Sequence, residues 1–333
     1  MDDQNKNLII ATVLSSLVIL VWMVFFPPTP PAEDPNAPVA GETAAPGDAD
    51  VASVPAAAPD AATAAPQVAD APEAARLELD TPRLEGTISL TGGRIDDLRL
   101  KDYTETVEPD SPIVQMLDPA GREDAYYALY GWAPGAGLSL EDVPGANTEW
   151  AIETGETLTS DSPVVLRWDS PSGLIFRRAI AVDQDYLFTI TQTVENPGAG
   201  TVSLAPYGII ARHGEPADMK NFFILHEGVV AMADGTLSEI GYDDMPDFDV
   251  NPNEGARAEV TQVTENGWIG FTDHYWMTTL IPAPGTAFKQ VAKYDERRDI
   301  YQTEAVLPTM QLAPGEQKSV TTQLFAGAKE WET

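Results

Sequence analysis

Tyr186-Leu187-Phe188-Thr189-Ile190-Thr191-Gln192-Thr193-Val194 is a run of period two. Tyr186, Phe188, Ile190 and Val194 share one face, while Leu187, Thr189, Thr191 and Thr193 share the other. An extended chain sends successive side chains to opposite faces, so this is a half-buried strand. Asn196-Pro197-Gly198 then turns the chain into a second extended stretch, Thr201 to Arg212. Upstream, Val164 to Asp169 and Leu174 to Val182 flank Ser170-Pro171-Ser172-Gly173, and Leu84 to Leu90 and Arg94 to Leu100 flank Thr91-Gly92-Gly93. Both are hairpin signals. Downstream, Gly228 to Met232 and Thr236 to Ile240 flank Ala233-Asp234-Gly235. Ala258 to Thr264, Trp268 to Thr272, Tyr275 to Ile281, Thr286 to Tyr294, Asp299 to Leu307 and Lys318 to Ala326 continue the pattern. No stretch carries a helical period beyond about two turns. More than a dozen such strands after residue 76 predict a mainly β domain, residues 76–333, built as a large antiparallel two-sheet sandwich.

The first 75 residues have a different texture. Leu8 to Phe26 is uncharged and almost wholly apolar, with Trp22 near its far end. A helix of that length covers about 28 Å, the hydrocarbon thickness of a bilayer. The run ends in Phe25-Phe26-Pro27-Pro28, which lacks the small residues of a signal-peptidase site, so it reads as an uncleaved transmembrane anchor contacting lipid. Lys6 precedes the anchor, and no Lys or Arg follows it until Arg76. The positive-inside rule then places residues 1–7 in the cytoplasm and the rest outside. Residues 27–75 hold 18 Ala and 11 Pro among 49 positions. Proline blocks regular structure, and alanine buries too little surface to offset chain entropy, so this is a disordered tether.

Charge limits function. With 19 Lys+Arg against 52 Asp+Glu the net charge is −33, which repels phosphate backbones and excludes nucleic-acid partners. Cysteine is absent, which removes thiolate chemistry and disulfides. His213, His226 and His274 form no helical i, i+4 pair, and no nucleotide-binding fingerprint occurs. Asp243, Asp244, Asp247 and Asp249 cluster without the calcium-loop pattern. No residue is assigned to catalysis, to a cofactor or to a metal. Gly267 to Pro282 is the densest apolar run outside the anchor; it is read as a pair of core strands, with Trp268, Tyr275 and Trp276 as the alternative makings of a partner groove or sugar platform.

The order of these motifs resembles the N-terminal part of the YidC family of bacterial membrane-protein insertases. Met1-Asp2-Asp3-Gln4-Asn5-Lys6-Asn7-Leu8 looks like the family opening. Thr91-Gly92-Gly93 with Leu98, Leu100 and Tyr103 is similar to its first strands beyond the membrane. So are Phe176-Arg177-Arg178, Asp185-Tyr186 and Thr193-Val194-Glu195-Asn196. Gly267, Trp268, Tyr275, Trp276 and Pro282 fall in the segment that resembles the family's most recognisable stretch. Leu312-Ala313-Pro314-Gly315 and Leu324-Phe325-Ala326-Gly327 look like its final strand. The resemblance implies a periplasmic β-supersandwich held by an inner-membrane anchor. It implies a non-enzymatic role in inserting and folding membrane proteins, with nascent chains and the Sec translocon as partners. It also implies that the groove performing insertion lies in later spans, so that this chain carries the anchor and an accessory domain. A membrane-anchored carbohydrate-binding or mutarotase-like protein, with His213 or His274 facing a carboxylate, is the competing expectation; an anchored scaffold is a third.

Overall fold

The structure is a computed structural model and describes residues 75–216, 219 and 225–330. The predicted anchor, with Leu8, Trp22 and Phe26, and the tether up to residue 74 lie outside these residues. Among the described residues no helix is long and apolar enough to cross a membrane.

The described residues form twenty-one strands joined by turns and loops, with two short 3-10 turns. In chain order the first are β1 (Arg76–Asp80), β2 (Leu84–Ser89), β3 (Arg94–Thr104), β4 (Ile113–Leu117), β5 (Tyr126–Pro134), β6 (Ala151–Thr154) and β7 (Thr157–Leu158). Next come β8 (Val164–Asp169), β9 (Ile175–Val182), β10 (Leu187–Glu195), β11 (Val202–His213), β12 (Gly228–Ala233), β13 (Thr236–Gly241) and β14 (Val250–Asn251). The last are β15 (Ala256–Val263), β16 (Gly267–Thr272), β17 (Trp276–Pro282), β18 (Phe288–Asp295), β19 (Ile300–Val306), β20 (Met310–Leu312) and β21 (Gln317–Ala328).

Two sheets result. The larger runs β14-β15-β18-β19-β11-β5-β3-β2-β1-β7, with β4 and β20 attached to β3 and β11. The smaller runs β13-β12-β16-β17-β21-β10-β9-β8-β6. Pairing is antiparallel apart from β1 with β7. The mainly β, two-sheet expectation therefore holds. The face chosen by alternation is the buried one: Tyr186, Phe188, Ile190 and Val194 are fully buried. They pack in one core with Leu77, Ile88, Leu98, Trp132 and Phe271. Each such side chain contributes about 1.5–3 kcal/mol on leaving water.

The larger sheet is also buried on its other face. Tyr127, Leu129, Tyr207, Ile209 and Val306 form a second apolar cluster. Cross-strand register places Ile209 opposite both Leu129 and Glu304, and Lys293 opposite Gln302. Lys293 pairs with Glu304, and Lys289 with Glu254 at 2.8 Å, all nearly solvent-free. Burial raises the Glu304 carboxyl above its ordinary value against the opposing charge of Lys293.

Arg178 ties the two sheets together. It leaves β9 in the smaller sheet and donates Nη1 to the carbonyls of Gly92 and Gly93, each at 3.0 Å. Nη2 donates to the carbonyl of Tyr130 in β5 at 2.5 Å. Its guanidinium lies 4.5 Å from the Trp150 ring centroid. The Gly92-Gly93 turn has φ of 74° and 61°, which glycine adopts without strain. A Cβ on Gly93 would also collide with Arg178 Nη1.

Candidate functional site

The β16–β17 hairpin carries the segment singled out in the sequence, and its two ends do different things. Ile269, Phe271 and Leu280 face the core. Trp268, out of phase with Ile269 and Phe271, is only half-buried, and its carbonyl accepts Gln290 Nε2 at 3.1 Å. Gly267 sits against the Met232 carbonyl and Val263, where a side chain would not fit. Pro282 is buried at the far end of β17. Tyr275 and Trp276 lie at the opposite end, about 20 Å away along the strands. Tyr275 is in the turn, not in a strand, and is 58% exposed. Trp276 is half-buried and meets Tyr103 edge-to-face at 5.2 Å between centroids. The five residues thus do not converge on one site.

Between β12–β13 of the smaller sheet and β15–β18 of the larger one lies a cleft of about 430 Å³ near the Gly267 end. Val229, Ala231, Ile269 and Ala292 line it, with Asp234 and Glu259 among its polar residues. The Asp234 carboxylate is engaged by the amides of Thr264, Glu265 and Asn266, which hold it well below the usual carboxylate range.

The Tyr275 end is a network of paired charges and rings. Arg212, near the end of β11, donates to Asp273 at 2.6 Å and lies 3.9 Å from the Tyr126 ring centroid. Tyr242 donates its hydroxyl to the other Asp273 oxygen at 3.3 Å and stacks on Phe271 at 5.5 Å. Burial pushes the Tyr126 hydroxyl up to about 12, so it stays neutral at physiological pH. Just after β21, Lys329 gives Nζ to Thr272 Oγ1 at 3.1 Å and to the Asp273 carbonyl, and its amide to the Tyr275 carbonyl at 2.9 Å. Glu330 follows and receives Arg83 and Tyr103. Arg83 also donates to Asp102 at 2.8 Å and Asp185 at 3.3 Å. Arg83, Arg212, Lys329 and Glu330 are absent from the sequence-based candidates, since no local pattern marks charges whose partners lie 61 positions away, as for Arg212 and Asp273, or 247, as for Arg83 and Glu330.

His213 closes β11 with its ring 6.0 Å from that of Tyr127. His226 Nε2 lies 2.7 Å from the Val229 carbonyl oxygen. His274 sits in the β16–β17 turn against the Tyr275 ring at 4.0 Å. Among the described residues no group of His, Asp or Glu is placed to hold a metal ion, the acidic loop 243–249 included.

Over its whole length the chain is 60% identical to a membrane protein insertase YidC of Ruegeria pomeroyi, of which it covers 56%. It is 62% identical, again over its whole length, to the same-named protein of Dinoroseobacter shibae, covering 55%. The chain therefore spans little more than half the length of the curated relatives it matches. Among solved structures, a galactose mutarotase related enzyme from Lactobacillus acidophilus covers 76% of the chain at 10% identity and TM-score 0.49, with 97% of that enzyme matched. A putative aldose 1-epimerase of Escherichia coli covers 76% at 14% identity and TM-score 0.42, with 98% of it matched. At those values the likeness carries nothing about sugar chemistry. Residues 76–333 match the YidC periplasmic domain family, and the chain belongs to that family.

Proposed function

We propose that this chain is the anchor and accessory domain of a membrane protein insertase. Residues 8–26 cross the inner membrane with Met1 in the cytoplasm, and the β domain stands in the periplasm on its Ala/Pro tether. The role is non-enzymatic: the domain meets nascent membrane proteins and components of the Sec translocon, and insertion itself belongs to segments beyond this chain. The observation that carries this reading is the whole-chain identity of 60% and 62% to proteins named as insertases. The acidic surface fits a domain that stands off anionic lipid.

The test is to express the complete gene in a bacterium depleted of its own insertase, with a photocrosslinking residue in place of Tyr275. Restored insertion of a reporter membrane protein, with crosslinks from position 275 to envelope proteins, is the expected result. No restoration under full expression overturns the insertase reading.

A further inference from the structure

The chain joins and leaves the β domain at opposite ends. Ala75 lies beside the β2–β3 turn, where its carbonyl accepts the Leu90 amide at 2.8 Å. Glu330 lies beside the β1–β2 turn, on Arg83. Strand β1 separates these points by about 20 Å. The residues before Ala75 are rich in Ala and Pro. The last two described residues, in contrast, are held from several sides. Arg83 grips both Glu330 oxygens, one of them at 3.0 Å through Nη1, Tyr103 donates its hydroxyl, and Tyr186 lies at 3.5 Å. These groups come from the β1–β2 turn, from β3 and from the residue just before β10, so one carboxylate gathers both sheets. Lys329 is fixed independently on Thr272, Asp273 and Tyr275 of the β16–β17 hairpin. The bonds from Arg83 hold the Glu330 carboxyl below its ordinary value, so the joint survives mild acidification.

We propose that Lys329-Glu330 is a fixed joint that sets the direction in which the chain leaves the sheets. In the insertase reading, on which this use of the joint rests, turning the domain would therefore turn the segment leading on from it. The exposed Tyr275 sits beside the joint, since Lys329 is bonded to its carbonyl. A partner docking on that hairpin tip would press directly on the exit.

Limited trypsinolysis of the complete protein tests the joint, because Lys329 is itself a cleavage point. Arg83→Gln and Tyr103→Phe loosen Glu330 without altering the sequence around the cleaved bond. Cleavage after Arg122, whose side chain is 61% exposed, serves as the internal reference. Local opening sets the rate at a protected bond, and loss of the Arg83 bonds raises it on the order of tenfold. The expected result is faster cleavage after Lys329 relative to Arg122, with faster hydrogen exchange at the Lys329 amide and no matching gain elsewhere. Unchanged cleavage after Lys329 in the double variant overturns the proposal. So does parallel acceleration at both sites, which would make these bonds part of global stability. The assay reads geometry, so it stands apart from the insertion test: failed insertion with an intact joint refutes the insertase reading alone.

Discussion

Replacing Arg178 with methionine should loosen the sandwich, and the structure allows the size of the effect to be worked out. The guanidinium is 1% exposed and donates to three backbone carbonyls of the larger sheet. Burial pushes it well below the usual arginine value, to about 10, so holding the charge inside costs roughly 3 kcal/mol. Methionine keeps most of the stem and removes that cost. It also strands three buried carbonyls, at about 1–3 kcal/mol each. The balance is a loss of about 3 kcal/mol, or roughly 6–12 °C in unfolding midpoint for a domain of this size. Arg178→Lys should lose at least as much, because an ammonium keeps the charge inside but cannot fork to separate carbonyls. The assay is thermal unfolding by circular dichroism at pH 7. The pH dependence has a defined sign. Between about 10 and the unfolded value the native state binds fewer protons, so Arg178 makes stability rise with pH in that window and leaves it flat below. An Arg178→Met protein as stable as the parent at pH 7 would refute the pin, by showing that the carbonyls find other partners.

Trp268→Ala should cost about 1–2 kcal/mol by the same assay, short of the 3–5 kcal/mol of a core tryptophan, because Trp268 is half-buried on the outward face. Glu304→Gln tests the buried ion pair with Lys293. The folded Glu304 pKa is raised, so its contribution to stability grows as pH falls from the folded value towards 4.5 and is lost as pH rises. The parent should therefore gain on the Gln variant when pH is lowered from 7, and a relative loss would contradict this. Deleting residues 30–70 should leave the unfolding midpoint of the β domain unchanged, since the Ala/Pro composition offers little surface to bury, and a drop of several degrees would overturn that reading.

Strands with one wet face were legible because their alternation survives in the sequence. The run from Tyr186 to Val194 and the hairpins at Gly92-Gly93 and Gly173 appear where period and turn chemistry place them. The strand Tyr126–Pro134 went unread although it is central to the larger sheet. Eight of its nine residues are buried, because core packs on both of its faces, and a strand with no wet side has no alternation to detect. Ala151–Thr154 escaped for the opposite reason: all four residues are exposed, so nothing apolar marks an inward face.

Period also carries more about the buried polar groups than composition does. In Phe176-Arg177-Arg178 the two arginines are equal in composition, but Arg178 is in phase with Phe176, Ile180 and Val182, all buried, while Arg177 points out to Glu153 and Glu195. Phase alone therefore sends one arginine inside, and an arginine inside must find acceptors. Turn carbonyls are free of the strand ladders, which makes a glycine turn on the facing sheet a fit place for them. That step from phase to partner was open in the sequence. The Glu330 joint was not, because Arg83, Tyr103 and Tyr186 share no period with one another and meet only once both sheets have closed. The same separation ties the joint to the assembled fold: its bonds join the β1–β2 turn, β3, the residue before β10 and the residues after β21, so the exit is held by groups from both sheets.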